Sequence, residues 1–320
     1  MASPTTFCPD TDAIAARVTA AGHTVVDTGT DGEGNPTVVA ATDGCLVTFT
    51  CRSALSATMA VTGTLSAAGY VAAIVAANNA NTNTRGIKIA VDGDGAPLGK
   101  ALGDKDAPLV LLAEQQLVTG DGVTGPQLDD FVGEVLATAA QLVDFAARLA
   151  ADPDHDDPDN APETVFVDRA ATTPAARETQ PDGSFPPVGR DRVAAWFAAR
   201  GITDVPYDDE TETVCLMMDG TPIDIIVADP ATVTVKIGAQ LPATGIQDPG
   251  TIIHALNHAN LEFRSTVCAA RADGNWWIIA RHVLPQTFGM SDSQLDQLIG
   301  SGVVEVAAQL KQTLKAIRES

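Results

Sequence analysis

Two stretches decide how this chain is read: Ile74-Val75-Ala76-Ala77-Asn78-Asn79-Ala80-Asn81 and Ile253-His254-Ala255-Leu256-Asn257-His258-Ala259-Asn260, which align at an offset of 179 residues. Moving toward the N-terminus, Ile14-Ala15-Ala16-Arg17-Val18-Thr19-Ala20-Ala21-Gly22 aligns with Val193-Ala194-Ala195-Trp196-Phe197-Ala198-Ala199-Arg200-Gly201 at the same 179. Moving toward the C-terminus, Thr124-Gly125-Pro126-Gln127-Leu128-Asp129 aligns with Ser291-Asp292-Ser293-Gln294-Leu295-Asp296 at 167, so the first copy carries an insertion of 12 residues around Gly95 to Pro108. Equal offsets this far apart are the signature of an internal repeat.

Each copy predicts the same element order. A short amphipathic helix comes first, with Ile14 and Val18, or Val193 and Phe197, on one face and a glycine just past its end. Three β-like runs follow: Thr24–Val26, Thr37–Ala40 and Leu46–Phe49 in the first copy; Val214–Met217, Ile223–Val227 and Thr232–Ile237 in the second. Turn pairs Asp43-Gly44 and Asp219-Gly220 punctuate them. A second helix ends in the Asn-rich segment, two strands come next (Gly86–Val91 and Leu109–Leu112; Ser265–Ala270 and Trp276–Ala280), and a long helix closes each unit. Thr124 with Gln127, and Ser291 with Gln294, fit a capping box ahead of apolar stripes at the helical period. The expected fold class is α+β: two tandem α-β-β-β-α-β-β-α units with mainly antiparallel sheets. Expected boundaries are residues 1–150, a linker at 151–187, and residues 188–320. The linker is rich in Pro and acid, with nine Asp and Glu against two Arg between Ala151 and Val188, a composition that repels itself and buries little. Within it, Thr164-Val165-Phe166-Val167 is the one run apolar enough to dock as a strand.

This order of elements, with an Asn-x-x-Asn helix end at Asn78-Asn79-Ala80-Asn81 and Asn257-His258-Ala259-Asn260 and a capped terminal helix, resembles the YbjN family of bacterial sensory transduction regulators in two tandem copies. The resemblance implies a fold like that of type III secretion chaperones, which are small, acidic, dimeric proteins that hold segments of a client. It implies no reaction and no catalytic residues. The first copy departs from the second through its insertion and through Thr82-Asn83-Thr84 after the Asn pair.

Composition removes several classes. The 320 residues hold 19 Lys and Arg against 41 Asp and Glu, a formal charge of −22, which opposes the phosphate neutralisation that nucleic-acid binding needs and repels anionic lipid. No stretch nears the roughly 20 apolar residues of a membrane span, and Met1–Thr6 lacks the basic start and apolar run of a secretory signal. The five cysteines (Cys8, Cys45, Cys51, Cys215, Cys268) are scattered without CxxC spacing, which fits reduced thiols and a cytoplasmic location; Cys45 and Cys51 pair only if two strands bring them together. No Gly-x-Ser-x-Gly, Walker-type loop or Gly-x-Gly-x-x-Gly is present, and Asp92-Gly93-Asp94-Gly95 reads as a turn.

The candidate site residues are therefore partner-binding ones. Asn78 and Asn81, with Asn257 and Asn260, lie three apart on one helical face, either as amide hooks for a partner's backbone or as helix-terminating residues. Trp276 and Trp277 are adjacent in a strand and point to opposite faces, so one ring is a contact anchor unless a helix or the other half covers it. The function expected is a non-enzymatic, cytoplasmic protein-binding adaptor without cofactor, its client an unknown protein, its two halves paired within the chain. The alternative is a metal-dependent sensor or enzyme using the acidic linker and the helix that bears His254 and His258, four apart, with His282 or a cysteine as third ligand. Asp152 to Glu163 has the acidic spacing of a calcium loop, but Asp157 stands where the sharp turn needs glycine, and Pro158 and Pro162 oppose it.

Overall fold

The computed structural model describes residues 4–66, 69–84, 86–93, 108–151, 184–218, 220–228, 232–241, 249–272 and 274–319. The calcium-loop spacing at 152–163 and the run at 164–167 lie outside these residues. The first half comprises α1 (Thr11–Ala20), β1 (Thr24–Thr30), β2 (Pro36–Thr42), β3 (Cys45–Cys51), β4 (Ala54–Ser66), α2 (Tyr70–Asn83), β5 (Lys88–Asp92), β6 (Pro108–Val118) and α3 (Gly125–Ala151). The second comprises α4 (Arg190–Ala198), β7 (Tyr207–Asp208), β8 (Thr213–Met218), β9 (Thr221–Ile226), β10 (Thr232–Leu241), α5 (Pro249–Glu262), β11 (Thr266–Ala272), β12 (Asn275–Pro285) and α6 (Asp292–Glu319).

The class is α+β with two six-stranded antiparallel sheets. The first runs β1-β2-β3-β4-β6-β5, and the second runs β7-β8-β9-β10-β12-β11, which is the same order. Each half has four strands ahead of its second helix rather than three. β4, at 54–66, carries no expected element because its buried positions mix Leu55, Met59 and Val61 with Ala57, a weak β signal. It is nevertheless central, pairing β3 on one side and β6 on the other. In the second half the added strand is the two-residue β7, so β1 corresponds to β7 and the expected run at Val214 corresponds to β2. Fifteen residues separate Asp92 from Pro108 and two separate Ala272 from Asn275, which puts the extra length of the first half in the β5–β6 connection.

Local chemistry explains the element ends. Asp10 accepts the Ala13 N–H at 2.8 Å to start α1, and Gly22 and Gly201 follow α1 and α4 with φ of 87° and 82°, a conformation that costs a side chain but not glycine. Both expected capping boxes form. Thr124 N–H donates to Gln127 Oε1 (2.9 Å) and Gln127 N–H to Thr124 Oγ1 (3.3 Å); Ser291 N–H donates to Gln294 Oε1 (2.8 Å) and Gln294 N–H to Ser291 Oγ (3.1 Å). α3 lays Leu128, Phe131, Val132, Val135, Leu142 and Phe145 on the first sheet, and α6 lays Leu295, Leu298, Ile299, Val306 and Leu310 on the second. These side chains leave water almost completely, at roughly 1.5–3 kcal/mol each, and supply most of the cohesion.

Cys45 and Cys51 do not pair. They sit at opposite ends of β3, about 20 Å apart at ~3.4 Å per residue, far beyond the reach of a disulfide. None of the described helices is long and apolar enough to cross a membrane.

Candidate functional site

α2 is apolar on nearly every side, with Ala72, Ala73, Ala76, Ala77 and Ala80 buried; small side chains let it lie close against α5, β5 and β11. That closeness brings its asparagines onto strand backbone. Asn81 accepts the Ile89 N–H and donates to the Ile89 C=O, both at 2.8 Å. Asn260 does the same to Val267, again at 2.8 Å each. The other asparagine of each helix reaches across the chain. Asn78 accepts from Ala269 N–H (2.9 Å) and donates to its C=O (3.2 Å), while Asn257 accepts from Val91 N–H and donates to its C=O, both 2.8 Å.

The pattern has a physical logic. β5 and β11 are the edge strands of their sheets. Residues 89 and 91, like 267 and 269, are two apart and turn their N–H and C=O groups to the same side, the side without a neighbouring strand. A primary amide presents a C=O acceptor beside its N–H donors, so two asparagines satisfy the outward N–H and C=O of two residues on each edge, 89 and 91 on β5 and 267 and 269 on β11. One comes from the strand's own half and one from the other half. All four asparagines are buried, between 1 and 6% exposed. They are neither helix terminators nor free hooks: their amides are taken up by strands of the same chain.

Further polar groups line this seam. Lys88 forms an ion pair with Glu114 (2.5 Å) and donates to Phe263 C=O at the end of α5; Arg281 donates to Asn81 C=O and Thr84 C=O at the end of α2. Each cation thus meets the negative pole of the other half's helix. At the far end, Gln127 Nε2 donates to Gly289 C=O (2.9 Å) and to Gln294 Oε1 (3.2 Å), and Gln294 Nε2 donates to Val118 C=O (3.0 Å). Between these contacts Gln115 and His282 wall a cavity of about 20 Å³, room for one water. Among the described residues Gln115 Oε1 and His282 Nδ1 are buried without a hydrogen-bond partner, and burial pushes the His282 imidazole below its ordinary pKa.

The remaining expected residues fall elsewhere. Trp276 packs against the core with Arg271 over its ring at 5.3 Å, while Trp277 is 38% exposed on the opposite face of β12. His254 and His258 line a groove of about 520 Å³ between α5 and α6. His254 Nδ1 lies 3.2 Å from the Tyr70 hydroxyl, whose pKa burial pushes up to about 12, and His258 faces Glu262 at 3.6 Å. Burial first, then His258, lowers the His254 pKa. His282 lies at the seam instead of beside them, and among the described residues no three His, Cys, Asp or Glu are grouped to hold a metal. Gln127, Gln294, Lys88, Arg281, Gln115 and His282 were not expected in this role. For the two glutamines a signal exists: each stands at the capping-box position just ahead of its apolar stripe, at the same repeat position.

Residues 10–148 match the YbjN family, described as "Putative bacterial sensory transduction regulator". The match runs from the cap of α1 nearly to the end of α3. Among solved structures the chain is similar to YbjN, "a putative transcription regulator from E. coli", at 17% identity and a TM-score of 0.30, over 41% of this chain and 90% of that one. No curated protein matches the chain.

Proposed function

We propose that this chain is a regulatory adaptor that binds a protein client and carries out no chemistry on it, and that residues 188–320 form a second YbjN-like unit paired with the first. The observation that carries this reading is the reciprocal exchange of asparagines. Asn78 and Asn257 stand at one repeat position, and each serves the edge strand of the other half. Self-complementary contact of this kind is what a twofold dimer presents. Joining the two units in one chain turns their encounter into an intramolecular event, at an effective concentration on the order of millimolar. The common strand order of the two sheets and the family match at 10–148 support the same reading.

The client surface in this proposal is the outer face of the second sheet around Trp277, since a half-exposed indole is a side chain that dominates interfaces when covered. The seam asparagines are excluded from it because they are occupied. A location in the cytoplasm, as for a regulator with free thiols, is part of the proposal. The test is affinity capture with the intact chain and with Trp277→Ala, in parallel. A protein retained by the intact chain in stoichiometric amount and lost from the variant supports the assignment. Equal retention by both moves the client surface elsewhere, and turnover of a captured small molecule overturns the adaptor reading.

A further inference from the structure

One pocket of about 480 Å³ is walled by two cysteines from distant parts of the chain, Cys8 and Cys51, together with Arg52, Gly120, Gln297 and Ser301. The segment that bears Cys8 is fixed in place: Phe7 exchanges backbone hydrogen bonds with Val123 (3.0 and 2.9 Å), and Asp10 caps α1. Cys51 closes β3, and Asp10 lies near enough to its thiol to add to the effect of burial in raising its pKa. Cys8 and Pro9 thus line the same pocket as Cys51 and Arg52 at the end of β3. The thiols differ in access, Cys8 being exposed and Cys51 partly covered. The other three cysteines have different surroundings: Cys45 at the far end of β3, Cys215 on β8 and Cys268, buried, on β11.

We propose that Cys8 and Cys51 form a reversible dithiol site that is oxidised to a disulfide by low-molecular-weight disulfides. The Cys8 thiolate attacks one sulfur of the small disulfide, forming a mixed disulfide and expelling one small thiolate. Cys51 then gives its proton to water and its sulfur attacks Cys8 Sγ. The Cys8–Cys51 bond forms, the second small thiolate leaves, and both leaving groups take up protons. The chain loses two electrons and the small disulfide gains two. A thiol held protonated by its surroundings attacks slowly, so the exposed Cys8 enters first and Cys51 resolves. The bond would close beside the contact between halves, because Gln297 Nε2 donates to Ser53 C=O (2.8 Å) and Gly120 N–H donates to Gln297 Oε1 (3.1 Å) across the same pocket.

The test treats the full-length chain with oxidised glutathione, blocks the remaining thiols with an alkylating agent and maps peptides by mass spectrometry without reduction. The expected product is one cross-linked peptide pair containing Cys8 and Cys51, lighter by two hydrogens and carrying no glutathione. Cys51→Ser should leave Cys8 as a glutathione mixed disulfide, and Cys8→Ser should leave Cys51 free. Two results overturn the proposal: a stable mixed disulfide on Cys8 of the unsubstituted chain with Cys51 alkylated, or full alkylation of both thiols after the treatment.

Discussion

Gln127 and Gln294 each complete the cap of their own helix and also bond one another, Nε2 to Oε1 at 3.2 Å. One side chain thus serves local structure and long-range assembly together. Two helix starts meet where 167 residues of sequence separate them. Replacing either glutamine by alanine should cost about 0.5–2 kcal/mol for the lost cap. The double variant should depart from additivity by about 0.5–3 kcal/mol, because the pair is in direct contact. A double-mutant cycle in guanidinium unfolding measures this, and strict additivity would mean that the 3.2 Å contact contributes nothing.

The asparagines separate two kinds of cohesion. Asn81→Ala and Asn260→Ala orphan groups inside one half, whereas Asn78→Ala and Asn257→Ala orphan groups across the seam. Each substitution should cost about 1–3 kcal/mol per buried backbone group left unpaired. Hydrogen exchange distinguishes them: Asn78→Ala should deprotect the Ala269 amide in β11 while leaving Ile89 protected, and Asn81→Ala should do the reverse.

Acidification should weaken the seam through His282. The unfolded imidazole titrates near 6.5, and burial holds the folded one lower. Below pH 6.5 the unfolded chain binds a proton that the folded chain refuses. Stability is therefore fully present above that pH and falls as pH drops toward the folded pKa, by up to about 1.4 kcal/mol per pH unit. The groups around this imidazole are Lys88 on β5, Glu114 on β6, Arg264 after α5, Glu305 on α6 and, lining the same cavity, Arg281 on β12; Glu305 and Glu114 oppose the shift, and Lys88 and Arg264 reinforce it. Unfolding curves between pH 7 and 5 should be less steep in pH for His282→Gln than for the unsubstituted chain. Identical pH slopes would remove His282 as their source.

Much of this architecture is legible in the sequence, and the rest is hidden for definable reasons. The common offset of 179 points to Asn78 and Asn257, and the capping boxes at Thr124 and Ser291 form as the hydroxyl–amide spacing predicts. β4 is not legible because alternation with small residues such as Ala57 and Ala60 resembles neither a strongly β nor a strongly helical run. The targets of the asparagines are not legible either. An Asn near a helix end suggests a local cap, and nothing in the segment names a strand 191 residues away. The same holds for His282, whose neighbours arrive from β5, β6 and α6. The missing information lies in tertiary contact, which leaves no local periodicity. Cys51 illustrates the converse: its nearest cysteine in sequence, Cys45, is held apart by the strand both belong to.

Trp277 offers a prediction independent of any client. Trp277, 38% exposed, has less buried apolar surface to lose than a core ring, so Trp277→Ala should cost about 1 kcal/mol, within the ordinary range of single substitutions. Trp276→Ala, which removes a ring packed on the core, should cost about 3 kcal/mol or more. Thermal unfolding of the two variants checks the contrast, and equal losses would place both rings in the core.

The central claim, that the two halves are mutually complementary units held by reciprocal contacts, is tested most directly by cutting the chain between them. A protease site placed within residues 152–183 allows the folded full-length protein to be cleaved and then sized by light scattering at micromolar concentration. The account predicts a single particle near the 33.0 kDa of the intact chain, which separates into its halves once Asn78→Ala and Asn257→Ala are both present. Two particles of roughly half that mass from the unsubstituted cut chain would contradict it.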